Sequence, residues 1–361
     1  MVSVIVPARN EEASLGACLQ SLVEQAGLVF EVIVVNDGST DGTREIAASF
    51  PSVKLIAAPA LPAGWSGKNN AVTAGAKIAR GSWLLFTDAD TIHRRGSLAS
   101  ALAEAQTRKA DLLSYSPEQV AQGFWEKAVM PVIFAELAST YRPSQVSDPR
   151  SPAAAANGQY LLVSREAYDA VGGHAAIAGS LLEDVALARA IKASGRKIFF
   201  RYGGDAVQTR MYRSFAQLRE GWTKNLALLF PSAVRLAALR LTEFVLILAS
   251  IVAAVAEGIQ GRTTVGLFAG ALAALMITLL LQRIRKANFS WDANALCLFG
   301  LPIFSYLLVR SAGSHRNGKV SWKGRDYPGH IDNVSIPSAA GQKLSQGRAR
   351  AAKVQGHSWS I

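Results

Sequence analysis

Cysteine is nearly absent from this chain of 361 residues, which has only Cys18 and Cys297. One lies in a predicted helix near the start and the other in an apolar run near the end. Such a pair excludes a disulfide framework and fits a reducing compartment. The glycine-rich signatures of phosphate binding are also missing. Neither G-x4-G-K-[ST] nor G-x-G-x-x-G occurs, which argues against NTPase and dinucleotide-binding readings. No zinc-finger spacing or RNA-binding aromatic motif accompanies the positive charge, so no nucleic-acid partner is expected. The start, MVSVIVPARN, has no basic segment leading into a long apolar run, and no cleavable signal peptide is expected.

Acidic residues are the scarcer charge: 26 Asp and Glu face 38 Lys and Arg, a formal net charge of +12. Residues 310–361 hold nine Lys or Arg and two Asp, so the excess is concentrated at one end. A basic stretch next to apolar segments points to an anionic membrane face.

What is present divides the chain into three parts: residues 1–235, 236–309 and 310–361. The first alternates short apolar runs (2–6, 32–35, 53–57, 83–86 and 160–163) with helical periodicity, the pattern of an α/β domain. In the helical stretch 11–25, Leu15, Leu19, Leu22 and Val23 share a face. NDGSTDGT (36–43) reads as turn chemistry followed by a helix over 43–50. The Pro/Ala/Ser-rich stretch 142–158 reads as a mobile loop over the domain.

The second part is a set of two to three apolar helices. Residues 263–281 carry no charge and run straight into QRIRK, the pattern of a transmembrane helix with a basic flank. Residues 293–309 are uncharged but interrupted by Pro302. Residues 236–256 are apolar, with Arg240 and Glu243 near their start. Three full spans would place the basic end opposite the first domain, against the positive-inside tendency. Two spans with one re-entrant or interfacial segment keep both on the cytoplasmic side, and that arrangement is expected. The segment beyond Pro328 is expected to be a disordered tail.

The chemistry concentrates where LLFTDADT (84–91) ends a buried-looking strand in Asp88 and Asp90. Carboxylates at the end of a parallel strand sit where open α/β sheets bind ligands. In extended structure residues i and i+2 point the same way, so both acids can face one site. Two hard oxygen ligands suit Mg2+ or Mn2+ carrying a substrate diphosphate. By itself a D-x-D is more often a pair of solvated loop acids.

Three further motifs change that balance. VSVIVPARNEE (2–12), VIVVNDGSTDGT (32–43), LLFTDADT and LLEDVAL (181–187) resemble, in order and spacing, the motifs of family 2 glycosyltransferases with the nucleotide-binding GT-A fold. LPAGWSGKNNA (61–71), RMYRSFAQLREGWTKN (210–225) and VSWKGRDY (320–327) narrow the resemblance to a membrane-bound bacterial subgroup associated with carotenoid glycosides and hopanoid pathways. The fold implied is an α/β GT-A nucleotide-diphospho-sugar transferase domain followed by C-terminal transmembrane or interfacial helices.

The resemblance implies roles residue by residue. Pro7, Ala8, Asn10 and Glu11 would line the nucleoside pocket. Asp37 would contact base or ribose, although its place in NDG also favours an Asx turn. Asp90 would be the firmer metal ligand and Asp88 would lie near ribose and sugar. Lys68 would reach the diphosphate or the donor sugar, and Arg210 and Arg213 the diphosphate. Asp184 matches the general base, supported by Glu183. Without the resemblance, acids in a first helical turn would read as dipole complements. Trp222 would form an acceptor wall together with Trp125, which stands in FWEKAVMPVIF (124–134), a stretch suited to lie along a bilayer. His93 and His174 are weaker candidates for contact with metal or substrate.

The activity implied is metal-dependent, inverting transfer of one sugar from a nucleotide-diphosphate sugar to a lipid acceptor at the cell membrane. QLREGW (217–222) departs from the Q-x-x-R-W of processive synthases because Gly221 precedes Trp222, which favours single-sugar transfer. An ionised carboxylate acceptor needs little help from a base, so the acid pair leans toward a hydroxyl, while the motifs lean toward the carotenoid-glycosylating members. The alternatives are a processive polysaccharide synthase and a non-catalytic, membrane-tethered nucleotide-sugar-binding protein.

Overall fold

The computed structural model describes residues 1–327; the expected tail beyond Pro328 lies outside them. Its strands are β1 (Val2–Ala8), β2 (Phe30–Asn36), β3 (Val53–Ala57), β4 (Trp83–Phe86), β5 (Thr91–His93), β6 (Leu112–Ser116), β7 (Glu118–Gln119), β8 (Leu161–Ser164), β9 (Ile198–Tyr202), β10 (Val207–Thr209), β11 (Val320–Trp322) and β12 (Arg325–Tyr327). Its helices are α1 (Leu15–Val23), α2 (Thr43–Ala48), α3 (Gly67–Ile78), α4 (Ser97–Arg108), α5 (Phe124–Thr140), α6 (Pro143–Ser147), α7 (Arg165–Ala170), α8 (Glu183–Ala193), α9 (Phe215–Leu229), α10 (Ala233–Ile259), α11 (Thr263–Ile284) and α12 (Trp291–Arg316).

Seven strands form one sheet in the order β3-β2-β1-β4-β8-β6-β9. The four left-hand strands are parallel, while β8 runs antiparallel to both β4 and β6. The near-continuous apolar run of β1 follows from burial on both faces. Its side chains alternate between two cores: Val2, Val4 and Val6 pack on one side and Ile5 on the other. Val32 and Val34 divide from Ile33 and Val35 in the same way. Strand order reverses between β1 and β4, so the loops after β1, β2 and β4 gather at a topological switch point.

The stretch 142–158 is not a loose loop over the domain. It contains α6, and Val146 with Ala154, Ala155 and Ala156 is buried in the core beside α3 and β8. The small side chains that suggested mobility are instead packed into that core.

A third core joins α5 and α9 to the apolar helices. Helices α10, α11 and α12 are each long and apolar enough to cross a membrane. They differ in coverage: the most apolar windows of α10 and α11 are 6% and 17% buried, that of α12 44%. Arg240 and Glu243 do not interrupt α10. Arg240 lies 2.9 Å from Glu136 of α5 and 2.8 Å from Glu243, and Arg283 at the end of α11 lies 2.9 Å from Glu243. This neutral cluster holds the first turns of α10 and the last turns of α11 at one level.

Helix α12 meets the first domain at both ends. Asp292 pairs with Lys127 at 2.6 Å near its start. Near its end Ser311 Oγ donates to Thr223 O at 2.7 Å and His315 Nε2 lies 2.8 Å from Lys224 O. Between them Gly300 rests on α5, where a Cβ would stand 1.9 Å from Ala128 O. Backbone cannot retreat as a flexible side chain does, so Gly300→Ala is expected to cost about 1–3 kcal/mol by overpacking. Gly313→Ala, on the same helix with no neighbour within 4 Å, should be neutral or stabilising by up to about 1 kcal/mol. Thermal unfolding of the two variants in detergent separates these outcomes.

Candidate active site

A cavity of about 950 Å³ opens at the switch point. Pro7, Ala8, Asn10, Glu11, Asp37 and Lys68 line its sheet end, and Asp88, Asp90, Glu183 and Asp184 stand among them. Arg210, Arg213 and Trp222 line it as well. Trp125 does not. It is 43% exposed and packs edge-on against Phe124 and tilted against Phe215, at centroid distances of 5.1 and 4.7 Å. Its place at the start of α5 is on the surface, beside exposed Phe299 of α12, as suits an interfacial aromatic.

The loop after β1 is shaped by its own side chains. Asn10 adopts φ +52, a left-handed conformation that Asn tolerates. Its Oδ1 accepts from Thr40 N at 2.9 Å, clamping the two loops. The Asx turn in NDG belongs to Asn36, whose Oδ1 accepts from Ser39 N at 3.1 Å. Asp37 is therefore released from turn duty. Its carboxylate is buried and ion-paired with Arg325.

Asp88 and Asp90 reach the cavity differently from expectation. Strand β4 ends at Phe86, and Ala89–Asp90 form a turn closed by Thr91, whose Oγ1 donates to Asp88 O at 2.7 Å. The turn, not extended alternation, brings both acids to one cavity. His93 lies beneath it as a core residue. Its Nε2 is 3.1 Å from Thr87 Oγ1, and burial pushes its pKa down to about 3. His174 is likewise buried against Phe86 and Tyr168, with its pKa down to about 4 through burial. Neither histidine is among the residues lining the large cavity.

The positive group beside Asp88 is a lysine. Lys68 Nζ lies 2.6 Å from Asp88 Oδ1 and 2.6 Å from Glu183 Oε1. It stands in the first turn of α3, which Ser66 caps by accepting from Asn69 N at 3.1 Å. Burial opposes the ammonium charge, yet the two carboxylates hold its pKa well above the usual lysine value. Glu183 is held low for the reciprocal reason: burial would raise it, but Lys68 and Lys224 outweigh that.

Asp184 has the opposite balance. Burial and the Glu183 charge push its pKa up to about 6, against Lys68 and two backbone donors. Its Oδ2 accepts from Gly158 N at 2.8 Å and its Oδ1 from Val185 N at 2.7 Å. A Cβ on Gly158 would stand 3.1 Å from both Lys68 Nζ and Glu183 Oε1, so the missing side chain lets this backbone approach the acids. Two adjacent carboxylates thus differ in proton affinity: Glu183 is a counter-ion to Lys68, and the pKa of Asp184 lies in the range a general base requires.

Among the described residues no group of three or more His, Cys, Asp or Glu forms a ready metal cluster. Asp90 nevertheless has a buried Oδ1 without a hydrogen-bond partner among them. Burial, with Asp88 and Glu11 nearby, pushes its pKa up to about 8. A carboxylate so placed fits Mg2+ or Mn2+ held by Asp90 and Asp88, with water and substrate phosphates supplying the other ligands.

Helix α9 contributes residues that sequence reasoning left unassigned. Gln217, Glu220, Gly221, Lys224 and Asn225 face the cavity at helical spacing, a polar stripe whose i, i+3, i+4, i+7 periodicity was available in the sequence. Burial lowers the pKa of Lys224. Arg210 is committed to Glu126 of α5, with contacts of 2.8 and 3.2 Å, and Arg213 Nη2 donates to Ala13 O at 3.2 Å. Lys323 and Arg325 enter from the β11–β12 hairpin.

Residues 3–172 match the family described as Glycosyl transferase family 2. Over 339 residues the chain is 30% identical to the 4,4'-diaponeurosporenoate glycosyltransferase of Staphylococcus aureus strain MRSA252, covering 90% of this chain and 88% of that protein. The protein of the same description from strain USA300 is 29% identical over the same shares. Among solved structures, a mannosyltransferase from Pyrobaculum calidifontis in complex with GDP-Man and Mn2+ superposes with a TM-score of 0.49. It is 18% identical, over 87% of this chain and 86% of that one.

The altered Q-x-x-R-W position has a local cause. A Cβ on Gly221 would stand 2.4 Å from the Tyr212 hydroxyl, and Tyr212 packs on Trp222. Gly221→Arg is therefore expected to cost about 1–3 kcal/mol, measured as a lower thermal midpoint. Adding Tyr212→Ala should recover part of the loss, a coupling of about 0.5–3 kcal/mol for residues in contact.

Proposed function

The chain belongs to glycosyltransferase family 2, and from that premise we propose that it moves one sugar from a nucleotide-diphosphate sugar to a membrane lipid. The observation that carries this reading is the composition of the cavity from one end to the other. At the sheet end stand the carboxylates with Lys68. Phe134 and Leu137 of α5, Tyr141 just after it, Met211 and Leu229 supply apolar lining, and Ala287 joins them between Lys286 and Asn288, just past α11. A polar donor and an acceptor with a long apolar body fit such a cavity; a soluble acceptor leaves the apolar wall without a partner. The curated relatives carry a carotenoid acceptor in their name, and that class of lipid suits this wall.

In the mechanism we infer, Asp184 takes the proton from an acceptor hydroxyl that attacks the anomeric carbon on the face opposite the nucleoside diphosphate, giving inversion. The backbone N–H groups of Gly158 and Val185 hold its carboxylate in place. Lys68 holds Glu183 in its ionised form and pairs with Asp88, so Asp184 does not face two uncompensated charges. A Mg2+ or Mn2+ ion on Asp90 and Asp88 would supply Lewis-acid stabilisation of the leaving diphosphate. Fixing donor and acceptor between the sheet end and α9 contributes the orientation part of the rate.

The contacts of the apolar helices support one membrane arrangement. We infer that α10 and α11 cross as a hairpin, its ends tied together by the Arg240–Glu243–Arg283 cluster. Helix α12 touches the catalytic domain at both ends and lies along it at the membrane surface. This keeps the basic segment on the same side as the catalytic domain, in line with the positive-inside tendency and with a cytoplasmic donor site.

Membranes from cells expressing wild type or Asp184→Asn, supplied with a panel of labelled nucleotide sugars, test the reading. Wild type should place label in the organic-extractable fraction, one sugar per lipid, and lose that activity with a chelator until Mn2+ or Mg2+ is restored. Asp184→Asn should be slower by ~10²–10⁴-fold, the usual share of a general base, with donor affinity nearly unchanged. A loss below tenfold would mean that the acceptor arrives already ionised and needs no base. In wild type the rate should fall as pH drops through about 6, because the base is protonated below its pKa. A flat profile from pH 5 to 8 would remove Asp184 from the role.

A further inference from the structure

VSWKGRDY (320–327) is the one motif to which the reading above assigns no part. It follows α12 and folds as an antiparallel hairpin in which Trp322 pairs with Arg325, leaving Lys323 and Gly324 as the two-residue turn. Both turn residues have positive φ, +47 at Lys323 and +74 at Gly324. That is the geometry of a type I′ turn, in which the first position favours Asn, Asp or Gly over Lys. A lysine held in a left-handed conformation at the tip of a loop is an outlier of the kind that gathers at ligand clamps.

The tip is docked into the cavity. Lys323 Nζ lies 2.5 Å from Glu11 Oε1 and donates to Arg9 O at 3.0 Å. Its backbone N–H donates to Glu220 Oε1 at 3.0 Å. Arg325 pairs with Asp37 through both guanidinium nitrogens, with Nη2 3.0 Å from Oδ1. It lies so close to α3 that a Cβ on Gly67 would overlap it. Trp322 stands 5.2 Å beneath the Lys224 ammonium. The hairpin thus bridges α9 to the loops after β1 and β2, across the residues that line the nucleoside end of the site.

Glu11 and Asp37 are therefore both covered by cations. The Lys323–Glu11 pair retains solvent contact, with side chains 26% and 21% exposed, whereas Asp37 is buried under Arg325, so Arg325 leaves it only for an anion that replaces the bidentate contact while Asp37 gains a new donor. A nucleoside diphosphate brings the same chemistry as the carboxylates, clustered anionic oxygens, at higher charge density. A guanidinium fork recognises either one in a bidentate manner. When Arg325 turns to the phosphates, the Asp37 carboxylate becomes free to accept from the nucleoside.

We propose that Lys323 and Arg325 are donor-contacting residues, carried by a clasp that pairs with Glu11 and Asp37 until the donor binds and then transfers both cations to its diphosphate. This rests on the nucleotide-sugar reading given above.

The test uses the full-length protein in lipid nanodiscs and titrates UDP, GDP, uridine and guanosine in the presence of Mn2+. Arg325→Ala and Lys323→Ala should each weaken the preferred diphosphate by about 10- to 100-fold, the size of one lost charge-assisted hydrogen bond. The matching nucleoside should bind as well as before or more tightly. Arg325→Lys, which keeps charge without the fork, should fall between. Arg325→Gln, similar in volume and still a donor, replaces the alanine variant if that one does not fold. Unchanged or tighter diphosphate binding in Arg325→Ala would overturn the proposal and make the hairpin only a competitor of the donor. Equal weakening of nucleoside and diphosphate would reduce it to a pocket wall and overturn it too. If wild type binds neither diphosphate, the nucleotide-sugar reading itself fails, and that result is distinct from wild-type binding with unaffected variants.

Discussion

The ammonium of Lys68 between Asp88 and Glu183 is the contact on which the site depends. Glu11, Asp37, Asp88, Asp90, Glu183 and Asp184 face one cavity, and like charges brought together disfavour their own ionisation. Lys68 removes the conflict at the centre. It joins three elements distant in sequence: the start of α3, the turn after β4 and the start of α8. By neutralising Glu183 and Asp88, it leaves Asp184 with an intermediate proton affinity and Asp90 with an unmet need for a cation. The arrangement gives neighbouring acids different proton affinities without a change of residue type.

Much of this was legible in the sequence, for physical reasons. A parallel strand buried on both faces must be apolar throughout, so β1, β2 and β4 stood out, and the loops that follow them carry the acids. The resemblance named Asp37, Asp88, Asp90 and Asp184, and all four line one cavity. Strands β6 and β9 were not legible, because LLSYS and IFFRY mix polar groups into short runs. Nor was the role of Lys68 as an internal counter-ion, since a lysine beside a glycine gives no sign of partners 20 and 115 positions away. Trp125 was misplaced for a related reason. An exposed aromatic and an aromatic in a cavity wall look alike until their neighbours are known.

The apolar segments show where composition stops deciding. By hydropathy α12 resembles α10 and α11, yet its burial is more than twice that of either. The difference comes from single positions. Gly300 permits close approach to α5, Ser311 satisfies the backbone of α9, and Asp292 answers Lys127. Arg240 and Glu243 likewise read as a limit on the length of α10, but they are neutralised by Glu136 and Arg283. A charge within an apolar helix shortens it only when no partner waits at the same depth.

These two observations lead to one constraint on the whole molecule. Because α12 is fixed to the catalytic domain at both ends, the chain leaving it emerges next to α9. The hairpin at 320–327 can therefore reach Asp37, almost 290 positions earlier in the chain, only if the helices before it return to the side from which they left. A topology of three full crossings would strand Lys323 and Arg325 on the far side from Glu11 and Asp37. The pairs of Lys323 with Glu11 and of Arg325 with Asp37 thus tie the hairpin to the loops after β1 and β2, and any path of α10, α11 and α12 through a membrane has to return it to them.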